Sequence, residues 1–218
     1  MNEFFRFDLH MHSIYSKDSL LSPKKILQIS LFKGMNAIAV TDHDTILGGL
    51  KVKSIKQDSL LVVIGSEIKT DHGDLIGLFL NEEVKSKAFL EVIEEIKAQG
   101  GIVVLPHPYR RKIFPDLEML KKVDVFEGIN GRTSEELNQK AQNLAINLSK
   151  PVIGGSDAHF SFELGKLMNC SNHFCNDEEE LRRVIVENSS TCLYKTNNSF
   201  VRKSNILLSA FVKKVKNM

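Results

Sequence analysis

The chain has no tryptophan, three tyrosines, three cysteines and five prolines in 218 residues. Cys170, Cys175 and Cys192 are odd in number and show no paired close spacing, which argues against a disulfide framework and against a cysteine-type zinc site. They read as reduced, partly buried thiols. The scarcity of aromatics leaves few platforms on which nucleic-acid bases could stack. No stretch approaches the roughly 18 unbroken apolar residues of a membrane helix. Residues 1–8 lack a basic start, an apolar run and a small-residue cleavage site. The expected setting is cytoplasmic, with no membrane contact. An excess of one charge is also missing. Against 29 basic residues stand 27 acidic ones, and +2 gives no global attraction for nucleic acid or an anionic membrane. One local bias exists: from 202 to 218 the chain carries Arg202, Lys203, Lys213, Lys214 and Lys216 and no acid. A solvated C-terminal helix is the plain reading of that stretch, and a phosphate-backbone contact is the weaker one.

What is present is a repeated pattern of short apolar strand, polar turn and helix. Strands are predicted over 5–10, 36–41, 60–68, 74–80, 102–105, 123–127, 151–154 and 192–195. Ser22-Pro23 opens a helix to Lys33, because serine caps free N–H groups and proline tolerates the first helical position; Gly34 stops it. Residues 86–99 carry Phe89, Ile93 and Ile96 at helical spacing and end at Gly100-Gly101. Thr133 and Glu136 read as a capping box for a helix over 134–148, and Asp177 and Glu180 for one ending near Asn188. A last helix is expected over about 202–217. Such alternation implies a largely parallel sheet with helices outside, and about seven units favour a barrel over an open sheet. No repeat or linker interrupts it, so residues 1–218 read as one α/β domain.

Five of the seven histidines, namely His10, His12, His43, His107 and His159, sit at the end of a predicted strand. In α/β barrels those ends converge on one mouth, where the active site lies. His10 and His12 are two apart, so on an extended chain both rings face the same way, and Asp157 and His159 repeat the device. Asp42-His43-Asp44 follows the second strand, Glu67 the third, and His107 the strand ending at Pro106. Each has a plainer account taken singly. A lone histidine after a strand is usually structural, Asp42 or Asp44 could cap a helix, Asp18 could close a turn, and Glu67 could be a surface charge. These accounts fail jointly, because they do not explain why all the candidates share one edge. Imidazoles mixed with carboxylates suit zinc, manganese or iron. The donors exceed the needs of one tetrahedral ion, so more than one ion is expected, with Glu67 as the bridging carboxylate.

The order of these motifs resembles a known family. His10-x-His12 followed by Ser16-Lys17-Asp18-Ser19, then Thr41-Asp42-His43-Asp44, Gly65-Ser66-Glu67, Pro106-His107-Pro108 and Gly155-Ser156-Asp157-Ala158-His159 look like the motifs of the polymerase and histidinol phosphatase (PHP) family of phosphoesterases. The match runs from Phe7 to about Gly165. The resemblance implies a distorted (β/α)7 TIM-like barrel and two or three divalent metal ions. It implies hydrolysis of phosphate esters of metabolites, nucleotides or nucleic-acid ends. The implied ligands are His10, His12, Asp18, His43, Glu67, His107, Asp157 and His159. One departure stands out. Where many relatives place a further histidine, this chain has Asp74-Leu75-Ile76-Gly77, so Asp74 substitutes as an oxygen ligand or a third metal is weakened. His72 lies two residues early and is not expected to bind metal; His173 is expected in a loop.

For substrate, Arg110 and Arg111 follow His107, and a guanidinium forks onto phosphate better than an ammonium does. Asn130 and Arg132 form a second pair, and Ser16 is a further phosphate donor. The expected reaction is attack of a metal-bound hydroxide on phosphorus, with His159 or Asp18 protonating the leaving oxygen. Near-neutral charge favours a small phosphorylated metabolite or nucleotide. The alternatives are a nuclease acting at a 5′ end, a non-catalytic metal-binding module, and metal-dependent amide or lactone hydrolysis.

Overall fold

The computed structural model describes residues 4–187, 192–195 and 199–217, with side chains from 206 onward in the last stretch. The expectations placed on residues 1–3, on Asn188, and on the side chains of Cys192, Arg202 and Lys203 lie outside the described residues.

In chain order the elements are β1 (Phe5–Asp8), α1 (Pro23–Phe32), β2 (Ala37–His43), α2 (Leu47–Lys53), β3 (Leu61–Thr70), β4 (Gly73–Leu78), α3 (Phe89–Ala98) and β5 (Ile102–Leu105). Next come α4 (Leu117–Lys122), β6 (Val125–Asn130), α5 (Glu135–Asn147), β7 (Val152–Gly155), β8 (Leu167–Ser171), α6 (Glu178–Val186), β9 (Cys192–Lys195) and α7 (Ser199–Lys216). The nine strands form one sheet in the order β7-β6-β5-β4-β3-β2-β1-β8-β9. The expected barrel is present, but it is less parallel than the alternation implied. β1–β2, β2–β3, β5–β6 and β6–β7 pair parallel. β3–β4, β4–β5, β1–β8 and β8–β9 pair antiparallel. The cause is local: β3 turns back through Asp71–His72 into β4 with no crossover helix.

The ends of the sheet come together to make a nearly closed barrel. Asn169 on β8 accepts from Gly154 N (2.7 Å) and donates to Gly154 O (2.8 Å), stitching β8 to β7. Past the strand ends, Asp157 N donates to His10 O (2.8 Å) and His12 N to Ala158 O (2.9 Å). The chain after β1 is thereby laid against the chain after β7. One core cluster includes Phe5 and Phe7 of β1 with Leu9 just after it, Ala39, Val63, Val104, Val125 and Ile153 of the other strands, and Leu181, Val184 and Ile185 of α6. The outer helices pack in two further clusters, with α1 and α2 in one and α3 and α4 in the other.

The helix caps expected from the sequence form with one exception. Ser22 accepts from Lys25 N ahead of Pro23, Gly34 takes a φ of 69°, and Asp177 accepts from Glu180 N. For α5 the cap is Ser134, which accepts from Leu137 N, and not Thr133. The Thr133 hydroxyl is drawn away to Asn130 Oδ1 (3.1 Å).

Candidate metal centre

Barrel closure gathers the histidines. The β2–β3 register places His43 beside Glu67. The seam after β1 and β7 places His10 and His12 beside Asp157 and His159. Because β4 runs antiparallel, its first residues lie at the same mouth, and this brings Asp74 into a group with Glu67 and His107. Nitrogen and oxygen atoms within 4.8 Å of one another also group His12 with His43 and His159, His10 with His12 and Glu67, and His10 with His107 and Glu127. Asp18 stands at 3.4 Å from both His43 Nε2 and His159 Nε2, and Asp157 Oδ1 at 3.3 Å from His12 Nε2. The eight residues named from the motifs are therefore together. Apart from half-buried His43 and partly exposed Asp18, they are buried.

The partners behind the rings decide which nitrogen faces inward. His10 Nδ1 lies 2.8 Å from Glu127 Oε1, so it carries the proton and donates it. His12 Nδ1 lies 3.1 Å from Ser16 Oγ. That hydroxyl already donates to Asp42 Oδ1 (2.7 Å), so it accepts from His12 and from His43 N (3.0 Å). His159 Nδ1 donates to the Asp157 carbonyl (2.8 Å). All three rings are thus held with Nε2 directed into the cluster, as metal-ligating histidines are. The Nε2 atoms of His10 and His12 then face each other at 3.2 Å. Only a shared proton or a cation makes that approach favourable. Asp18 Oδ1 is buried with no hydrogen-bond partner, which favours a cation.

Electrostatics agree. Burial disfavours charge on Glu67 and Asp157, but His43 and His10 beside the first, and Arg110 and His10 beside the second, hold both well below the usual carboxylate range. Burial likewise opposes ionisation of Asp18, and His159 and His43 overcome it. Burial works against charge on His12, yet Asp157 and Glu67 push it up to about 9; His159, buried and facing His12, is held down at about 4. Three ionised carboxylates in a buried space require nearby positive charge. The donor set of imidazoles and carboxylates without thiolate fits divalent metal.

Several residues have roles that spacing did not reveal. Glu127, within β6, accepts from His10 Nδ1, His107 N (2.8 Å) and Asn130 Nδ2 (3.0 Å). Its position at the end of the strand expected over 123–127 was the available signal. Asp42 accepts from the backbone and hydroxyl of both Ser13 and Ser16, fixing the first loop. Two glycines make this possible: a Cβ at Gly155 would overlap Glu127 Oε1, and one at Gly48 would overlap Asp42 Oδ2. His107 and Asp157 hold φ of 29° and 54°, a backbone region that non-glycine residues rarely occupy.

The expected substrate contacts divide. Arg110 pairs with Asp157 (2.8 Å) and, with Arg132, lines a cavity beside Asp18. Arg132 also pairs with Glu163 (3.3 Å). Arg111 instead grips Asp74 in a two-pronged contact of 2.7 and 3.1 Å. That guanidinium occupies both oxygens of the carboxylate expected to act as an oxygen ligand. Ser16 and Asn130 are buried scaffolding, with their polar atoms committed to His12, Asp42, Glu127 and Arg110. His72 pairs with Asp71, and His173 is an exposed loop residue, both outside the cluster.

The family model described as the PHP domain matches residues 8–192. The chain belongs to the PHP domain family. It is 37% identical over 169 residues to the uncharacterized protein MJ0417 of Methanocaldococcus jannaschii, covering 72% of this chain and 67% of that one. It is 45% identical over 114 residues to MJ1587 of the same organism, covering 47% and 67%. Among solved structures it is similar to a two-domain protein of Bacteroides vulgatus containing a predicted PHP-like metal-dependent phosphoesterase. That likeness has a TM-score of 0.74 and 19% identity over 95% of this chain and 71% of the other, and it shows a shared fold. The clustered strand ends are thus the mouth of a PHP domain.

Proposed function

We propose that this PHP domain is a metal-dependent phosphoesterase acting on small phosphorylated metabolites or nucleotides in a cytoplasmic setting. The observation that carries the reading is the inward-facing set of Nε2 atoms, with Asp18 Oδ1 buried beside them and without a hydrogen-bond donor. His10, His12, Asp18, His43, Glu67, His107, Asp157 and His159 would hold two or more divalent ions of manganese, iron or zinc. When bound, these would activate water and offset charge on the phosphoryl oxygens. Arg110, beside Asp157 at the cavity edge, would orient a phosphoryl group. Asp18, at the same edge, and His159, 3.4 Å from it, are the candidates to take a proton from the attacking water and return it to the leaving oxygen, in so far as metal leaves them free. Asp74 is a metal ligand only if Arg111 releases it. No helix among the described residues is long and apolar enough to cross a membrane.

The test couples elemental analysis of the purified protein to hydrolysis of a phosphomonoester and phosphodiester panel with added manganese, iron or zinc. Two or more ions per chain with metal-dependent phosphate release support the reading, and His12→Ala abolishes turnover with the fold intact. Activity concentrated on single-stranded ends, with affinity falling steeply in salt, would move the assignment to a nuclease. Less than one ion per chain and no hydrolysis would leave a non-catalytic module.

A further inference from the structure

We propose that the cavity between the metal cluster and helix α7 receives the alcohol portion of the ester, and that Lys213 binds a second anionic group carried by that portion. This deepens the phosphoesterase reading and rests on it. The cavity measures about 550 Å³, within the range of small-molecule sites and too small for a duplex. At one side it meets the cluster through Asp18 and Arg110. Its wall is apolar where Leu137 of α5 faces Ile206 and Ala210 of α7, and Lys213 lines it as well. Ile206, Ala210 and Lys213 are spaced four and three apart, so one face of α7 presents all three.

Helix α7 is fastened over this space. Arg132 donates to Ser209 Oγ (2.7 Å), and Lys216 Nζ donates to the carbonyls of Ile14 (3.1 Å), Ser16 (3.0 Å) and Ser19 (2.6 Å). The loop carrying Asp18 and the helix carrying Lys213 are thereby one unit. Cations line the cavity unequally. Arg110 and Arg132 answer Asp157 and Glu163 within the protein, whereas Lys213 brings its ammonium from the solvent-exposed side. A phosphoryl group at the cluster, an apolar body against Leu137, Ile206 and Ala210, and a carboxylate or second phosphate at Lys213 would fill the space with matched chemistry. The inferred substrate class is a small phosphomonoester whose organic part bears a further negative charge.

The probes are three non-hydrolysable phosphonates, namely benzylphosphonate, 4-carboxybenzylphosphonate and the para-xylylene bisphosphonate. Their binding to the metal-loaded, full-length protein is measured by calorimetry. The expected result is a preference of about fivefold for one or both doubly anionic probes over benzylphosphonate, the size of a partly exposed ion pair. Lys213→Glu should abolish that preference and Lys213→Arg should keep it. Ala210→Trp, which fills the cavity, should weaken all three. The carboxylate and bisphosphonate arms separate the two sources of the second charge. Equal affinities for the three probes, no binding of any, or a preference that survives Lys213→Glu would overturn the inference. Because no turnover is read, a protein that fails to hydrolyse any ester yet shows the Lys213-dependent preference would defeat the phosphoesterase reading alone.

Discussion

Glu127 sits behind the cluster and sets the direction of His10 while also holding the backbone of His107 and the amide of Asn130. A carboxylate can accept from all three donors at once; a glutamine cannot, because its amide nitrogen has no lone pair to offer. Glu127→Gln therefore leaves at least one buried donor unanswered, which costs about 1–3 kcal/mol of stability. It also frees the His10 ring, and loss of such an orienting partner lowers metal affinity roughly 10–100-fold. Metal titration of the variant against the parent protein checks this, and unchanged affinity would show that His10 is oriented without Glu127. The ligand histidines were legible in the sequence because type, spacing and strand-end position coincide. Glu127 was not, because a carboxylate at a strand end reveals its partner only once β6 is placed next to the seam. Ser16 was legible as a polar residue near the site but not in its role. The Asp42 contact that saturates its hydroxyl joins residues 26 apart in sequence.

Among the elements, α1, α3 and α6 could be read from caps and apolar spacing, since Ser22, Phe89 and Asp177 act locally. Of the missing ones, α4 had its Asp116 cap as a signal, whereas α2 and β8 lacked local signals. α2 contains Gly48 and Gly49, which read as helix breakers, although tight packing against Asp42 and β3 requires them. β8 is buried at every position, so it shows no alternation. The lysines of the C-terminal helix predict a solvated element. Its described side chains are indeed mostly exposed, but Ser209 and Val212 are buried, Lys213 lines the cavity and Lys216 reaches three carbonyls of the first loop. Burial lowers the pKa of Lys216, with Asp18 and Asp42 pulling it back up. Lys216→Ala should cost about 1 kcal/mol, discounted for its exposure to solvent. It should also speed amide hydrogen exchange over residues 14–19 while leaving β5 and β6 protected. Equal exchange in that loop would mean that α7 does not brace it.

At the scale of the whole molecule, barrel closure and the site are the same event. The parallel run ends at β7, and the segment leaving β7 must pair with the segment leaving β1 for His10 and His12 to meet Asp157 and His159. That seam brings Glu67, Asp157 and Asp18 together as carboxylates kept ionised by the histidines and Arg110 beside them, a set of donors that only the closed barrel offers to a cation. Metal should therefore act on folding as well as on chemistry. At a free concentration a hundredfold above Kd, an ion that binds only the folded chain adds about 2.7 kcal/mol. In a chain of this length each kcal/mol raises Tm by roughly 2–4 °C, so manganese, iron or zinc should raise it by about 5–10 °C, and a chelator should reverse the change. Thermal scans of the chelator-treated protein with and without each metal measure the shift, and hydrogen exchange locates it. Protection gathered along residues 9–12 and 155–159 would tie metal binding to closure. A uniform rise across all strands would mean that the ion stabilises a barrel already closed without it. No shift with any of the three metals would show that the clustered donors are held together by shared protons instead.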